Sequence, residues 1–289
     1  MWKDERAAMA SGAGLGAHPH HRNDQIVREL FPAAAALLLA WYPARAQPGG
    51  DSTLRTLTIS LGGVVENRRD DADSPLAYSG NGPGARIAYD WDRPARRGFV
   101  SLTAAGATLT PSRSVQAPSI PLKETFSVYS LDAVMDWPLR GNAAHLDQFA
   151  LGVEFGGTFT LARHLYAGQV GAQQDFDLGV ITLAPTARWT RRVGAGEVGA
   201  SLALPLLAWV DQPYSDVRFS QQLANIHFAP LSQFHQANGE LSYAFRTESR
   251  FGVTATYRLD VVDLEGLQPV RRVSQSLSIG IVRRFGVRR

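Results

Sequence analysis

From residue 47 onward, apolar side chains recur at every second position, and the 3.6-residue spacing of an amphipathic helix is scarce. Each run is about ten residues long, the length of a strand with two different faces. In Phe149–Leu161 one face is Phe149, Leu151, Val153, Phe155, Phe159 and Leu161, and the other is Ala150, Gly152, Glu154, Gly156, Thr158 and Thr160. Phe251–Val261 sets Phe251, Val253, Ala255, Tyr257, Leu259 and Val261 against Gly252, Thr254, Thr256, Arg258 and Asp260. Leu57–Val65 and Leu277–Phe285 repeat the pattern. Weaker alternation marks segments around Ile87–Asp92, Tyr129–Trp137, Leu183–Trp189, Val198–Leu206 and Glu240–Arg246, and is poorest over Gly98–Thr110. The sixth segment changes phase near Val180–Ile181, which predicts a bulge there.

These ten segments are joined by links that alternate in length. The links 66–84, 112–123, 163–174, 211–236 and 263–273 are long and polar; those near Arg93–Arg97, Arg140–Gln148, Val193–Gly196 and Thr247–Arg250 are short. Long loops at one end and short turns at the other are the signature of a transmembrane barrel, and an even count puts both termini at the turn end. In hydrocarbon each unpaired backbone group costs several kcal/mol, so a lipid-facing sheet must close on itself. The predicted fold is an all-β, ten-stranded antiparallel transmembrane up-and-down β-barrel over residues 47–289, with eight or twelve strands as alternative counts. A secreted sandwich would alternate too, but its second face would be rich in Lys and Glu; here it is small, built from Gly, Ala, Ser and Thr. Pro138, Pro185 and Pro205 each remove a ladder hydrogen bond and predict a strand end or bulge.

Residues 1–46 read as a leader. The apolar core Phe31–Tyr42 is too short for a membrane helix, which needs about 20 apolar residues. Arg28 precedes it, and Ala44-Arg45-Ala46 has the small-x-small form of a cleavage site, with Gln47 next. A start codon placed too far upstream would account for the Gly/Ala/His-rich residues before the core.

Composition removes several classes. With no cysteine there is no disulfide scaffold, thiol nucleophile or thiolate metal site. A net charge of +3 without a basic stripe interleaved with aromatics argues against nucleic acid. No phosphate-binding Gly loop follows a strand and opens a helix. No cofactor and no metal site are expected.

The cleavage signal Ala44-Arg45-Ala46, the ten alternating segments and a final strand, Leu277–Phe285, ending in an aromatic together resemble bacterial outer-membrane β-barrel proteins as a class. The resemblance covers residues 47–289. It implies location in the bacterial outer membrane of a Gram-negative cell, contact with outer-membrane lipid and lipopolysaccharide, and handling by the barrel-insertion machinery, which reads a terminal aromatic. Here Gly286-Val287-Arg288-Arg289 follows that aromatic.

In such a barrel the apolar face meets lipid. Tyr89, Trp91, Trp137, Trp189, Tyr243, Tyr257 and Phe285 are the candidate interfacial girdle. The opposite face fills a narrow lumen. Its candidate charged network is Glu66, Arg86, Asp90, Asp92, Asp132, Asp136, Glu154, Glu197, Glu240, Arg246, Arg258 and Asp260, whose opposite charges should pair inside. Three functions follow. The first is a non-enzymatic surface protein binding an extracellular ligand through its long loops, above all 211–236 with Tyr214, Phe219, Phe228 and Phe234. The second is a narrow porin-like channel for small polar solutes.

The third is a hydrolase. His235-Gln-Ala-Asn-Gly239 resembles the His-x-Ser-Asn-Gly element of outer-membrane phospholipase A, but Ala237 stands where the nucleophile belongs. The acidic runs Asp70, Asp71, Asp73 and Asp175, Asp177, with His227 and His235, resemble the rim chemistry of the ten-stranded omptin proteases, without their Asp-x-His spacing. The expected catalytic set is therefore empty.

Overall fold

The structure is a computed structural model that describes residues 54–70, 76–93, 95–113, 121–139, 147–166, 173–211, 227–245, 250–265 and 269–285, all within the compact unit Gly50–Arg289. The leader 1–46 lies outside the described residues. Twelve strands follow one another: β1 (Leu54–Asp70), β2 (Ala77–Arg93), β3 (Arg96–Pro111), β4 (Pro121–Pro138), β5 (Asp147–Tyr166), β6 (Gln173–Val193), β7 (Gly196–Ala203), β8 (Leu207–Asp211), β9 (His227–Ala229), β10 (Phe234–Phe245), β11 (Phe251–Leu264) and β12 (Val270–Phe285).

Ten of them form a closed antiparallel ring. β1 to β7 pair in chain order, β7 pairs with β10, β10 with β11, β11 with β12, and β12 returns to β1. The short β8 continues along β6 beyond the end of β7, and β9 pairs with β8. Short turns gather at one end. One of them joins Val193 to Gly196 through Gly194, whose φ of 57° suits a two-residue hairpin.

Period-two alternation puts Ile59, Leu61, Leu151, Val153, Leu277 and Ile279 outside, all exposed. Ser60, Asp132, Thr182 and Thr256 point inward and are buried. Beside the turn end, glycine makes room for aromatic rings on the neighbouring strand. A Cβ on Gly98 would lie 1.9 Å from the Trp91 indole, and one on Gly196 would lie 2.5 Å from the Tyr243 ring. An aromatic lying over a glycine restores the contact area the missing side chain gives up.

The strands outrun the apolar alternation. β1 reaches Asp70 and β2 starts at Ala77, so the first long link shrinks from 66–84 to 71–76. Above the apolar belt both faces turn polar, with Asn67 and Arg69 exposed outside and Glu66 and Arg68 buried inside, while the ladder continues. Gly98–Thr110 is a full strand despite its poor alternation, because Ala104, Ala105, Gly106 and Ala107 make its two faces alike.

The bulge of β6 falls at Asp177 rather than Val180–Ile181: Thr160 faces Leu178 and Leu161 faces Phe176. Pro138 ends β4, and Pro205 falls in the break between β7 and β8. Pro185 stays within β6, opposite Val153, and its carbonyl accepts from Leu204 N at 3.3 Å.

The interior differs between its two ends. The turn-end half holds a polar cavity of about 630 Å³. The loop-end half is packed with two apolar clusters. One contains Leu178, Val210, Phe234, Val262, Leu264 and Val270; the other contains Val64, Tyr78, Ala107, Leu109 and Phe126.

Candidate functional site

Where the polar cavity meets the apolar half, charged side chains cross the lumen. Arg258 on β11 reaches Asp132 on β4, five places round the ring, at 3.1 Å, and donates to Thr103 Oγ1 at 3.3 Å. Ser101 on β3 donates to the same Asp132 oxygen at 3.2 Å. Arg86 on β2 donates to Glu240 on β10 at 2.8 Å, and Arg258 Nε lies 3.7 Å from that carboxylate. Arg86 also stacks over the Phe99 ring at 5.0 Å. Each carboxylate is held by an arginine from another wall, the arrangement a low-dielectric interior demands.

A second tier lies toward the loop end. Asn238 donates to Glu154 at 3.4 Å, and Gln236 donates to Asn238 at 2.9 Å and to Asp260 at 3.2 Å. Arg272 holds Asp260 at 2.5 Å, approaches Glu66 at 3.8 Å and donates to Thr160 on the far wall at 3.4 Å. Glu66 is only 1% exposed, so its charge has no solvent to fall back on. A cavity of about 100 Å³ opens here, lined by Glu66, Phe126, Val128, Gln236, Asp260 and Arg272. Beyond it, Arg68 and Glu124 form a fully buried pair at 2.6 Å, with Arg68 also over the Phe126 ring at 5.3 Å.

Nearer the turns, Asp136 is held by Arg188 at 3.0 Å and by the Thr186 hydroxyl at 3.1 Å. Thr56 donates to Asp90 at 3.3 Å, and Arg97 pairs with Asp92 at 3.0 Å. Glu197 lines the same cavity, and Arg246 lies outside the residues whose side chains are described. The structure thus brings Arg86, Asp132, Glu240 and Arg258 into one cluster, and Glu66, Glu154 and Asp260 into its neighbour. Sequence reasoning missed Arg68, Glu124, Arg188 and Arg272. Arg68 and Arg272 lie on the inward parity of β1 and β12 but beyond the segments whose alternation is visible, and Glu124 does so on β4.

Most girdle candidates ring the turn end. Tyr89 and Trp91 lie with centroids 6.0 Å apart, Trp189 Nε1 donates to Asp147 at 3.2 Å, and Trp137, Tyr243 and Phe285 are exposed outside. Tyr257 stands higher on the wall and donates to Gln275 at 3.2 Å. Trp209 and Phe228, edge to face at 6.1 Å, are a further outward pair toward the loop end.

The loop aromatics separate. Phe228 is 51% exposed on β9, but Phe234 is 1% exposed inside the barrel, and it is not a surface residue as its place in link 211–236 predicts. Tyr214 and Phe219 lie outside the described residues, as do Asp71 and Asp73. His235 is exposed on the outer face of β10, whereas Asn238 turns inward to Glu154, so the His235–Gly239 run does not converge on one point. Among the described residues no group of three or more His, Asp or Glu side chains converges as metal ligands.

Compared with solved structures, the chain is similar to the translocator domain of the autotransporter NalP from Neisseria meningitidis, at 11% identity over 91% of this chain and 96% of that one, with a TM-score of 0.43. It is also similar to Ail, the attachment invasion locus protein of Yersinia pestis, at 14% identity over 80% and 98% with a TM-score of 0.31. The transport unit of the autotransporter AIDA-I from Escherichia coli aligns at 11% identity over 86% and 96% with a TM-score of 0.35. No protein-family model and no curated protein matches the sequence.

Proposed function

We propose that this chain is an up-and-down transmembrane barrel of a bacterial outer membrane whose lumen is closed, and that it acts without catalysis through its long loops on an extracellular ligand. The observation that carries the reading is the Arg258–Asp132 bridge, which joins opposite walls at 3.1 Å. Two apolar clusters line the interior on the loop side of it, and the charges buried there are already paired with one another, so a passing ion would lose hydration with little to replace it. The membrane location is supported by the exposed belt of Ile59, Leu61, Leu151, Leu277, Ile279 and Ile281, a run of large apolar side chains of the kind that marks a membrane or interaction surface. The turn-end aromatics then sit at one interface with lipid, lipopolysaccharide lies at the other, and the insertion machinery reads the last strand.

The polar cavity of about 630 Å³ favours a second reading, a narrow channel for small polar solutes. Single-channel recording in a planar bilayer separates the two. The closed-lumen reading expects no current steps above baseline from refolded protein, and regular steps would replace it with the channel. On an unboiled SDS gel the refolded protein should migrate differently from the boiled sample. Protein that stays soluble without detergent would remove the membrane location.

A further inference from the structure

Among the described residues the ring of hydrogen bonds has a long interruption between β7–β8 and β10, wider than the two positions, Gly82 and Pro83, skipped on the β2–β3 ladder. β7 pairs with β10 as far as Ala203 opposite Asn238, and the ladder resumes only at Ala208 opposite Ala229, on β8 and β9. Between these points Leu204 and Leu206 turn their N–H groups to β6, bonding Pro185 and Leu183 at 3.3 and 3.0 Å. Alternation therefore aims Pro205 at β10, and a proline has no N–H to give. On the other side the chain makes a tight turn, Pro230–Gln233, closed by bonds from Gln233 N and Phe234 N to Pro230 O. β10 then runs from Phe234 paired with β11. The interruption from Leu204 to Leu207 spans about 13 Å at the usual rise per residue.

The two sides of this seam share one chemistry. Outside, Leu204, Leu206, Leu207, Trp209, Phe228 and Leu231 are all exposed. Inside, Ala208, Val210, Ala229, Phe234, Val262 and Leu264 form an apolar cluster directly behind the seam, whereas the wall of the turn-end cavity carries many charged and hydroxylic side chains. A break in the ladder that is apolar on both faces favours hydrocarbon over ions and sugars.

We propose that the seam between β7–β8 and β10 is a lateral port that takes a single alkyl chain from the bilayer into the loop-end half of the lumen, with Phe234 as its inner stop. This rests on the belt being lipid-facing, as proposed above. The chain chemistry is the same for a phospholipid tail and for a free fatty molecule. Past Phe234, Gln236 leads to the small cavity beside Asp260 and Arg272, which suits a polar end group.

The test uses the unaltered chain in vesicles and a photoreactive diazirine at the end of an alkyl chain, carried by a phospholipid in one arm and by a free fatty alcohol in the other. Adducts are mapped by mass spectrometry. The port predicts adducts on inward Val210, Phe234 or Val262 from at least one arm, which names the source, and none on the equally buried Leu109 and Phe126. Leu204→Cys with Ala237→Cys, the next outward step of the β7–β10 ladder, allows a single cross-link because the chain has no other cysteine. Oxidation should abolish the inward adducts and leave those at Leu61 and Ile279. Adducts confined to the outer face in both arms, or inward adducts that survive the cross-link, overturn the port. A belt unlabelled at Leu61 and Ile279 removes the membrane reading and the port with it.

Discussion

Arg258 and Asp132 stand on opposite walls of the barrel and meet at 3.1 Å, so the bridge spans the lumen in the same stroke that neutralises a buried carboxylate. Arg258→Ala would leave Asp132 and Glu240 without it. Breaking such a pair is expected to cost about 3 kcal/mol, read as a lower urea midpoint for the refolded protein. Conductance should stay at baseline, because the clusters around Phe234 and Phe126 close the loop-end half independently. Current steps in this variant alone would mean that the bridge is the sole barrier.

The Arg68–Glu124 pair makes a sharper case, since both side chains are almost wholly buried and 2.6 Å apart. Glu124→Gln removes one charge and strands the other, at an expected cost of about 3–5 kcal/mol. Replacing both, as Arg68→Met with Glu124→Met, removes the desolvation of both ions and should restore much of that stability. Chemical denaturation of Arg68→Met, Glu124→Met and the double closes a cycle. A double variant as unstable as the sum of the singles would show that the pair is not the coupled unit.

How much of this was legible in the sequence depends on what each residue's neighbours look like. Phe149–Leu161 announces its strand because large side chains alternate with Gly and Thr, and β5 runs through it. β3 is nearly silent, because Ala and Gly occupy both of its faces over Ala104–Ala107 and only pairing with β2 and β4 makes it a strand. Asp132, Glu240 and Arg258 sit opposite apolar positions and could be read as inward. Arg272 could not. It lies in Val270-Arg271-Arg272-Val273, where charges fall on both faces: Arg271 pairs outside with Asp263 at 3.1 Å while Arg272 is buried. Which wall each charge would reach was never legible, since the partners are set by the curvature of the closed ring and lie far apart in sequence, 154 residues for Arg86 and Glu240.

The two aromatics flanking the Pro230 turn look alike in sequence and should differ in effect. Phe234→Ala empties a filled site in the loop-end cluster, and truncating a buried phenylalanine costs about 3–5 kcal/mol. Phe228→Ala, at an exposed position, should move the urea midpoint little. Equal effects would contradict the inward placement of Phe234.

Trp91 and Gly98 offer the most local test of how the wall is assembled at the turn end. A Cβ at position 98 would come within 1.9 Å of the indole, so even Gly98→Ala must push Trp91 off the strand. Forcing extra volume into a packed contact costs about 1–3 kcal/mol, and Gly98→Ala is expected to lower the urea midpoint accordingly. Trp91→Ala loses the covering ring, but in that background Gly98→Ala has nothing left to collide with and should be close to neutral. The measured coupling should therefore be large, of the order of the single Gly98→Ala effect. Additive effects of the two substitutions would mean that the ring does not rest on the glycine, and that the turn-end aromatics are held by the lipid interface alone.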